Sequence, residues 1–257
     1  MAGAYMTLEH LRVRIEDSIA FIELDRPNKR NALNNALVNS LDSAFCALDD
    51  DIRAVVLTGA GEHFCAGLDL GENSVRKPLD VLRTSQRWHK VFHDIQFSGK
   101  PVIAALQGGV IGGGLELALA AHVRVIETNA FFQLPEGKRG IFVGGGASVR
   151  VARVIGPDRM TEMMLTGRKY SAEEGYRLGL GHYLAAPGGG MIMAKQLAAD
   201  VAGNSTLSNW AAINAVARIH DMAMSDGLFA ESLTAALMQS TPDARERMEA
   251  FLSRKAR

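Results

Sequence analysis

The sequence is poor in cysteine and carries no excess charge of either sign. Cys46 and Cys65 are the two cysteines among 257 residues, too few for a disulfide framework. Reduced thiols in a cytoplasmic setting are expected. No C-x-x-C, H-E-x-x-H or Cys/His cluster occurs, so a structural zinc site is not expected. Lysine plus arginine and aspartate plus glutamate each total 28, for a formal net charge of zero. The basic excess of a general nucleic-acid or membrane-surface binder is therefore missing. No apolar run reaches the roughly 20 residues that span a bilayer. Residues 1–18 have no apolar stretch and mix acidic with basic side chains, so neither a secretory signal nor a transit peptide is expected. Nucleotide fingerprints are missing too. There is no G-x-G-x-x-G, and Gly99-Lys100 and Gly137-Lys138 are followed by proline and arginine, so neither completes a P-loop. No G-x-S-x-G nucleophile elbow is present.

What is present is an ordinary globular composition, 47% hydrophobic and 22% charged, which argues against a disordered chain. The length allows one large domain or two small ones. Residues 11–17 alternate apolar and polar, and with 19–24 they read as a hairpin. Residues 34–50 read as a helix, with Leu37, Leu41, Phe45 and Leu48 on one face and Cys46 half-buried beside it. Residues 54–58 and 101–107 are short apolar runs, read as buried strands. Residues 78–97 and 115–121 read as helices and 122–126 as a strand. This alternation predicts an α/β fold. From Gly156 onward the chain reads as mainly helical. Ser171-Ala172-Glu173-Glu174 is a capping box, and Pro187-Gly188-Gly189-Gly190 reads as a flexible joint.

Three segments can carry chemistry: Phe64-Cys65-Ala66-Gly67-Leu68-Asp69-Leu70, Gly112-Gly113-Gly114-Leu115-Glu116 and Phe132-Gln133-Leu134-Pro135-Glu136-Gly137. Each has a plainer reading when taken singly. Glycines at a strand-to-helix turn serve backbone geometry, and a glutamate in a first helical turn pairs with the helix dipole.

In this order and spacing, the three together resemble the crotonase (enoyl-CoA hydratase/isomerase) superfamily. The resemblance runs from about Leu11 to the C-terminus and includes Arg26-Pro27 through Asn31-Ala32-Leu33. It implies a spiral of β-β-α units, with residues 1–190 as the core and 191–257 as a C-terminal helical region of the same unit. It implies hydration of a trans-2-enoyl-CoA to a 3-hydroxyacyl-CoA. The amides of Leu68 and Gly113 would form the oxyanion hole, and Glu116 and Glu136 would be the acid/base pair. Lys29, Arg30, Ala66 and Arg254 would contact coenzyme A, which enters as part of the substrate; no metal or other cofactor is implied. A homotrimer or hexamer is expected, with no nucleic-acid or membrane partner. An isomerase, a hydratase-lyase and a non-catalytic acyl-CoA-binding protein are the alternatives.

The chain also departs from the pattern. Val143 stands where many relatives have proline, and Lys138 and Arg139 stand where apolar residues are common. Gly71 occupies a place often held by a basic residue, for which Arg76 or Lys77 could substitute. Residues 73–97 are expected to shape the acyl pocket, with Trp88, Phe92 and Phe97 as lining or, more plainly, as core. His89 and His93 read as surface residues, Met160, Met163 and Met164 as core filler, and Cys65 as unreactive.

Overall fold

A computed structural model describes residues 5–71 and 77–255, with the side chains of Tyr5, Arg254 and Lys255 outside that description. The chain opens with an antiparallel meander of β1 (Tyr5–Leu8), β2 (Leu11–Glu16) and β3 (Ile19–Leu24). The β2–β3 hairpin is the one the alternation predicts; β1 is too short to declare itself by pattern. In α1 (Asn35–Cys46), Asn34 caps the first turn by accepting the Leu37 amide at 2.9 Å. The helix stops short of the predicted residue 50. Leu37, Leu41 and Phe45 face inward, but Cys46 is exposed, because one step past Phe45 turns the side chain away from the buried stripe.

The middle of the chain supplies β4 (Ala54–Gly59), α2 (Pro78–Phe97), β5 (Val102–Leu106), β6 (Gly109–Ile111), α3 (Gly113–Ala118), β7 (Val123–Glu127) and β8 (Phe131–Gln133). Then come α4 (Ala147–Ile155), α5 (Pro157–Thr166), β9 (Tyr170–Ser171), α6 (Ala172–Arg177) and β10 (Tyr183–Ala185). Ser171 and Glu174 form the expected capping box on α6. The tail is α7 (Gly190–Ala202), α8 (Thr206–Ile219), α9 (Met224–Gln239) and α10 (Pro242–Lys255).

Seven strands form one sheet in the order β1-β2-β3-β4-β5-β7-β10, parallel from β3 onward. A second sheet holds β6-β8-β9. Each pass enters the large sheet and then steps to the small one: β5 leads to β6, β7 to β8, and β4 to Cys65, which bridges Val110. This winding is the expected β-β-α spiral. The three-residue strands escape sequence reading because they offer too few alternations to register.

β4 and β5 are buried along their whole length, as their unbroken apolar runs require. One face of the large sheet packs Ile22, Val55 and Leu57 against Leu41, Phe92 and Ile95 of the helices. The other packs Val56, Ile103 and Val125 against Ala194 and Ala198 of α7. Residues 187–190 form a bonded turn rather than a loose joint, with the Gly190 amide donating to the Glu127 carboxylate at 3.0 Å.

Candidate active site

The first glycine segment lies between the early basic turn and β6. Asn31, at φ 55°, anchors it: its side-chain amide donates to the Ala60 and His63 carbonyls at 2.9 and 2.8 Å, and its Oδ1 accepts the Arg26 amide. Arg26 reaches across to Asp69 at 3.0 Å in a largely buried ion pair. Burial alone would raise the Asp69 carboxyl, but Arg26, the Gly71 amide and the charge of Lys29 hold it below the ordinary carboxylate range. Cys65 is fully buried; its thiol donates to the Asn31 carbonyl at 3.0 Å and is pushed up to about 12 by burial. That thiol is no nucleophile.

Gly67 has φ 83°, and a Cβ there would stand 2.5 Å from the Ile111 carbonyl oxygen and 3.0 Å from the Gly113 nitrogen. Only glycine lets the two loops approach this closely. Gly112, at φ 50°, then turns β6 into α3. The neighbouring amides of this seam are engaged: Ala66 N–H with the Arg30 carbonyl at 2.9 Å, and Asp69 N–H with that of Leu33 at 2.9 Å. The amides of Leu68 and Gly113 donate to no group among the described residues.

Glu116, on α3, is buried, and its Oε1 accepts the amides of Gly145 and Ala147 at 2.8 and 3.0 Å. Burial raises its pKa above the ordinary carboxylate range, against the smaller pull of those amides and of the Arg150 charge. Glu136 opens a 3₁₀ turn, residues 136–139, that ends at Gly140 in the left-handed region. Its carboxyl abuts Gly112, where a Cβ would lie 2.7 Å from Oε1. Its Oε2 is buried with no hydrogen-bond partner among the described residues. Burial pushes Glu136 up to about 7 against the pull of its own backbone amide; the charge of Glu116 adds a smaller push, and Arg139 opposes it.

Leu68, Gly113, Glu116 and Glu136 line one cavity of about 440 Å³. Its other walls are Val81, Thr84, Ser85 and Trp88 of α2 and residues 141–144. Trp88 thus lines the pocket, Phe92 belongs to the core, and Phe97 lies elsewhere, stacked under Arg218 at 4.2 Å. Ser85 donates to the Gly144 carbonyl at 2.7 Å, tying α2 to the loop that carries Val143.

Lys29 and Arg30 are exposed in the turn that abuts Ala66, outside the cavity wall. The side chain of Arg254 and the whole of Arg76 fall outside the described residues. Lys138 and Arg139 are exposed, as are His89 and His93. Among the described residues, no group of three metal-ligating side chains comes together, and no helix is long and apolar enough to cross a membrane. Sequence reading missed Gly145, Ala147 and Arg150, although the run Gly144-Gly145-Gly146 marks a turn where backbone amides can approach a ligand or side chain.

The spiral α/β core thus places two buried carboxyls, and two amides with no partner among the described residues, around one cavity. The family model described as enoyl-CoA hydratase/isomerase matches residues 14–256, and the chain belongs to that family. The 2,3-dehydroadipyl-CoA hydratase of Escherichia coli K12 is 34% identical over 254 residues, covering 96% of this chain and 97% of the relative. The short-chain-enoyl-CoA hydratase of Clostridium acetobutylicum is 30% identical over 253 residues, 97% of each chain. Among solved structures, an enoyl-CoA hydratase candidate from Rhodopseudomonas palustris CGA009 is 49% identical, with a TM-score of 0.93 over 96% of both chains.

Proposed function

We propose that the protein adds water across the double bond of a trans-2-enoyl-CoA to give a 3-hydroxyacyl-CoA. The observation that carries this reading is one cavity shared by two buried carboxyls and two amides that have no partner among the described residues. The thioester oxygen accepts the N–H groups of Leu68 and Gly113, which stabilise the negative charge that develops on it. One such donor is worth roughly 100- to 1000-fold in rate. Glu116, whose Oε1 accepts two amides, takes a proton from water as the oxygen attacks C3. Glu136, with its pKa near 7, is protonated and delivers its proton to C2. Two coupled carboxyls hold one proton between them more readily than none or two.

The exposed basic pair Lys29 and Arg30, beside Ala66, suits the phosphates of coenzyme A, and Arg254 is assigned to the same grip. The apolar wall of Val81, Trp88, Ile141 and Phe142 suits an acyl chain. A homotrimer or a pair of trimers is part of this reading. It is supported by α9, which buries only Gly227 while Met224, Leu228, Phe229, Leu233 and Leu237 stay exposed. A cytoplasmic setting fits the free thiols.

The test is to incubate the purified protein with short, long and aromatic trans-2-enoyl-CoA esters and follow the conjugated thioester absorbance. Loss of absorbance with a 3-hydroxyacyl product is expected. A product with a shifted double bond would make the protein an isomerase. Tight binding without turnover would make it an acyl-CoA-binding protein.

A further inference from the structure

We infer that Arg150, braced by Gln96, is a positioning residue for Glu116: it fixes the glycine turn whose amides hold that carboxylate. This rests on the hydratase reading above for its kinetic consequence, but not for its geometry. Arg150 lies on the first turn of α4, and its side chain folds back over the Gly144-Gly145-Gly146 run. A Cβ on Gly146 would stand 2.4 Å from its Nη1. Nη1 donates to the Gly145 carbonyl at 3.2 Å, and Nε donates to Oε1 of Gln96 on α2 at 2.8 Å. Gly145 therefore faces Arg150 with its carbonyl and Glu116 with its amide, 2.8 Å from the carboxylate.

Glycines are the least constrained residues in a chain, so a turn of three needs an external tether to keep two amides aimed at one oxygen. Arg150 supplies one end of it. The other end is tied down: the Gln96 carbonyl accepts the Nε2 proton of half-buried His122, whose Nδ1 accepts the Val102 amide. Gly145 also leaves Glu116 no slack, since a Cβ there would lie 2.6 Å from Oε2 and 2.9 Å from the Phe92 ring.

Arg150 acts on Glu116 by charge as well, through a half-buried region where screening is weak. The other ionisable groups around this pair are few. Glu136 faces Glu116 from the 3₁₀ turn, with Arg139 beside it. On the outer side of Arg150 a groove is lined by His89 and His93 of α2, Arg124, Arg153 of α4, and Arg218, His220 and Asp221 at the end of α8. Asp221 is taken by Arg153 at 2.7 Å. Arg150 is the cation whose charge reaches Glu116, and Arg153 on the groove side repels it.

The test uses the full chain and the variants Arg150→Met, Arg150→Lys and Gln96→Leu, with turnover measured against pH on an enoyl-CoA that the wild type hydrates. Arg150→Met is expected to lower kcat about tenfold or more, to leave KM within about twofold, and to move the acid limb upward by roughly one pH unit. Arg150→Lys restores the limb without restoring full kcat, because the charge returns and the fork does not. Gln96→Leu lowers kcat and leaves the limb in place. A readout independent of turnover is the carbon-13 titration of the Glu116 carboxyl in side-chain-labelled protein, assigned with Glu116→Gln. Its midpoint rises in Arg150→Met. An unmoved midpoint, with losses that only track the melting temperature, overturns the inference. A wild type that hydrates no ester overturns the hydratase reading instead and leaves the midpoint to decide Arg150.

Discussion

Glu136 sits in surroundings far from what its side chain prefers in water. Its folded pKa is pushed from 4.5 to about 7 by burial and by Glu116. A carboxyl raised in this way favours folding while it is protonated. Its contribution is whole below about pH 4.5 and declines as pH rises through 7, because the folded state then carries a buried charge that the unfolded state solvates freely. Glu136→Gln removes both the proton donor and the penalty. It is expected to lose at least about 100-fold in kcat while melting a few degrees higher than the wild type at pH 8, with the two proteins drawing together near pH 5. Calorimetry across that range checks this. A variant that melts lower at pH 8 would show that the burial of Glu136 costs the fold nothing. The sequence names Glu136 through its motif, but a loop glutamate beside a glycine looks like any solvated charge. The pKa that suits it to acid catalysis exists only once Gly112 and Glu116 lie against it.

At the scale of the element, the seam between the first glycine loop and the start of α3 decides whether two amides point into the same space. Gly67→Ala forces an L residue to φ 83°, which costs at least about 1–2 kcal/mol. It also drives a methyl group towards the Ile111 carbonyl. The expected outcome is a less stable protein whose kcat falls by about 100-fold, more than the stability loss explains. Denaturant titration and steady-state kinetics read the two effects separately, and an unchanged kcat would remove the Leu68 amide from the mechanism. Strand and helix reading worked where patterns are long: α2 spans the predicted 78–97, β4 covers its apolar run and one residue more, and β5 falls inside its own. It failed at β6, β8 and β9, which have only two or three residues each. Yet β6 and β8 are the strands that deliver Gly112 and the Glu136 turn to the cavity.

For the whole molecule, the tail carries the clearest sign of a missing neighbour. Single exposed apolar residues are ordinary, but α9 exposes Leu228, Phe229, Leu233 and Leu237 along one helix, and such patches mark contact surfaces. Analytical ultracentrifugation is expected to give three or six times the 27.7 kDa chain mass. A monomer at micromolar concentration would refute the assembly. Phe229→Glu with Leu233→Glu is expected to dissociate it while leaving the cavity residues, which lie on other elements, in place.

The sequence by itself determined the α/β class, the buried strands, the positions that need glycine, and the residue types at the site. These depend on local periodicity, on backbone sterics and on motif spacing, all of which can be read along the chain. Only the tertiary structure decided that Leu68, Gly113, Glu116 and Glu136 share one cavity. It also decided that the early Arg26–Asn31 segment works as a scaffold for the glycine loop, and that Gly145, Ala147 and Arg150 attend Glu116. Those relations join residues far apart in sequence. Burial, proton affinity and hydrogen-bond partnership are properties of the assembled surroundings, and a side chain acquires them only when distant segments pack around it.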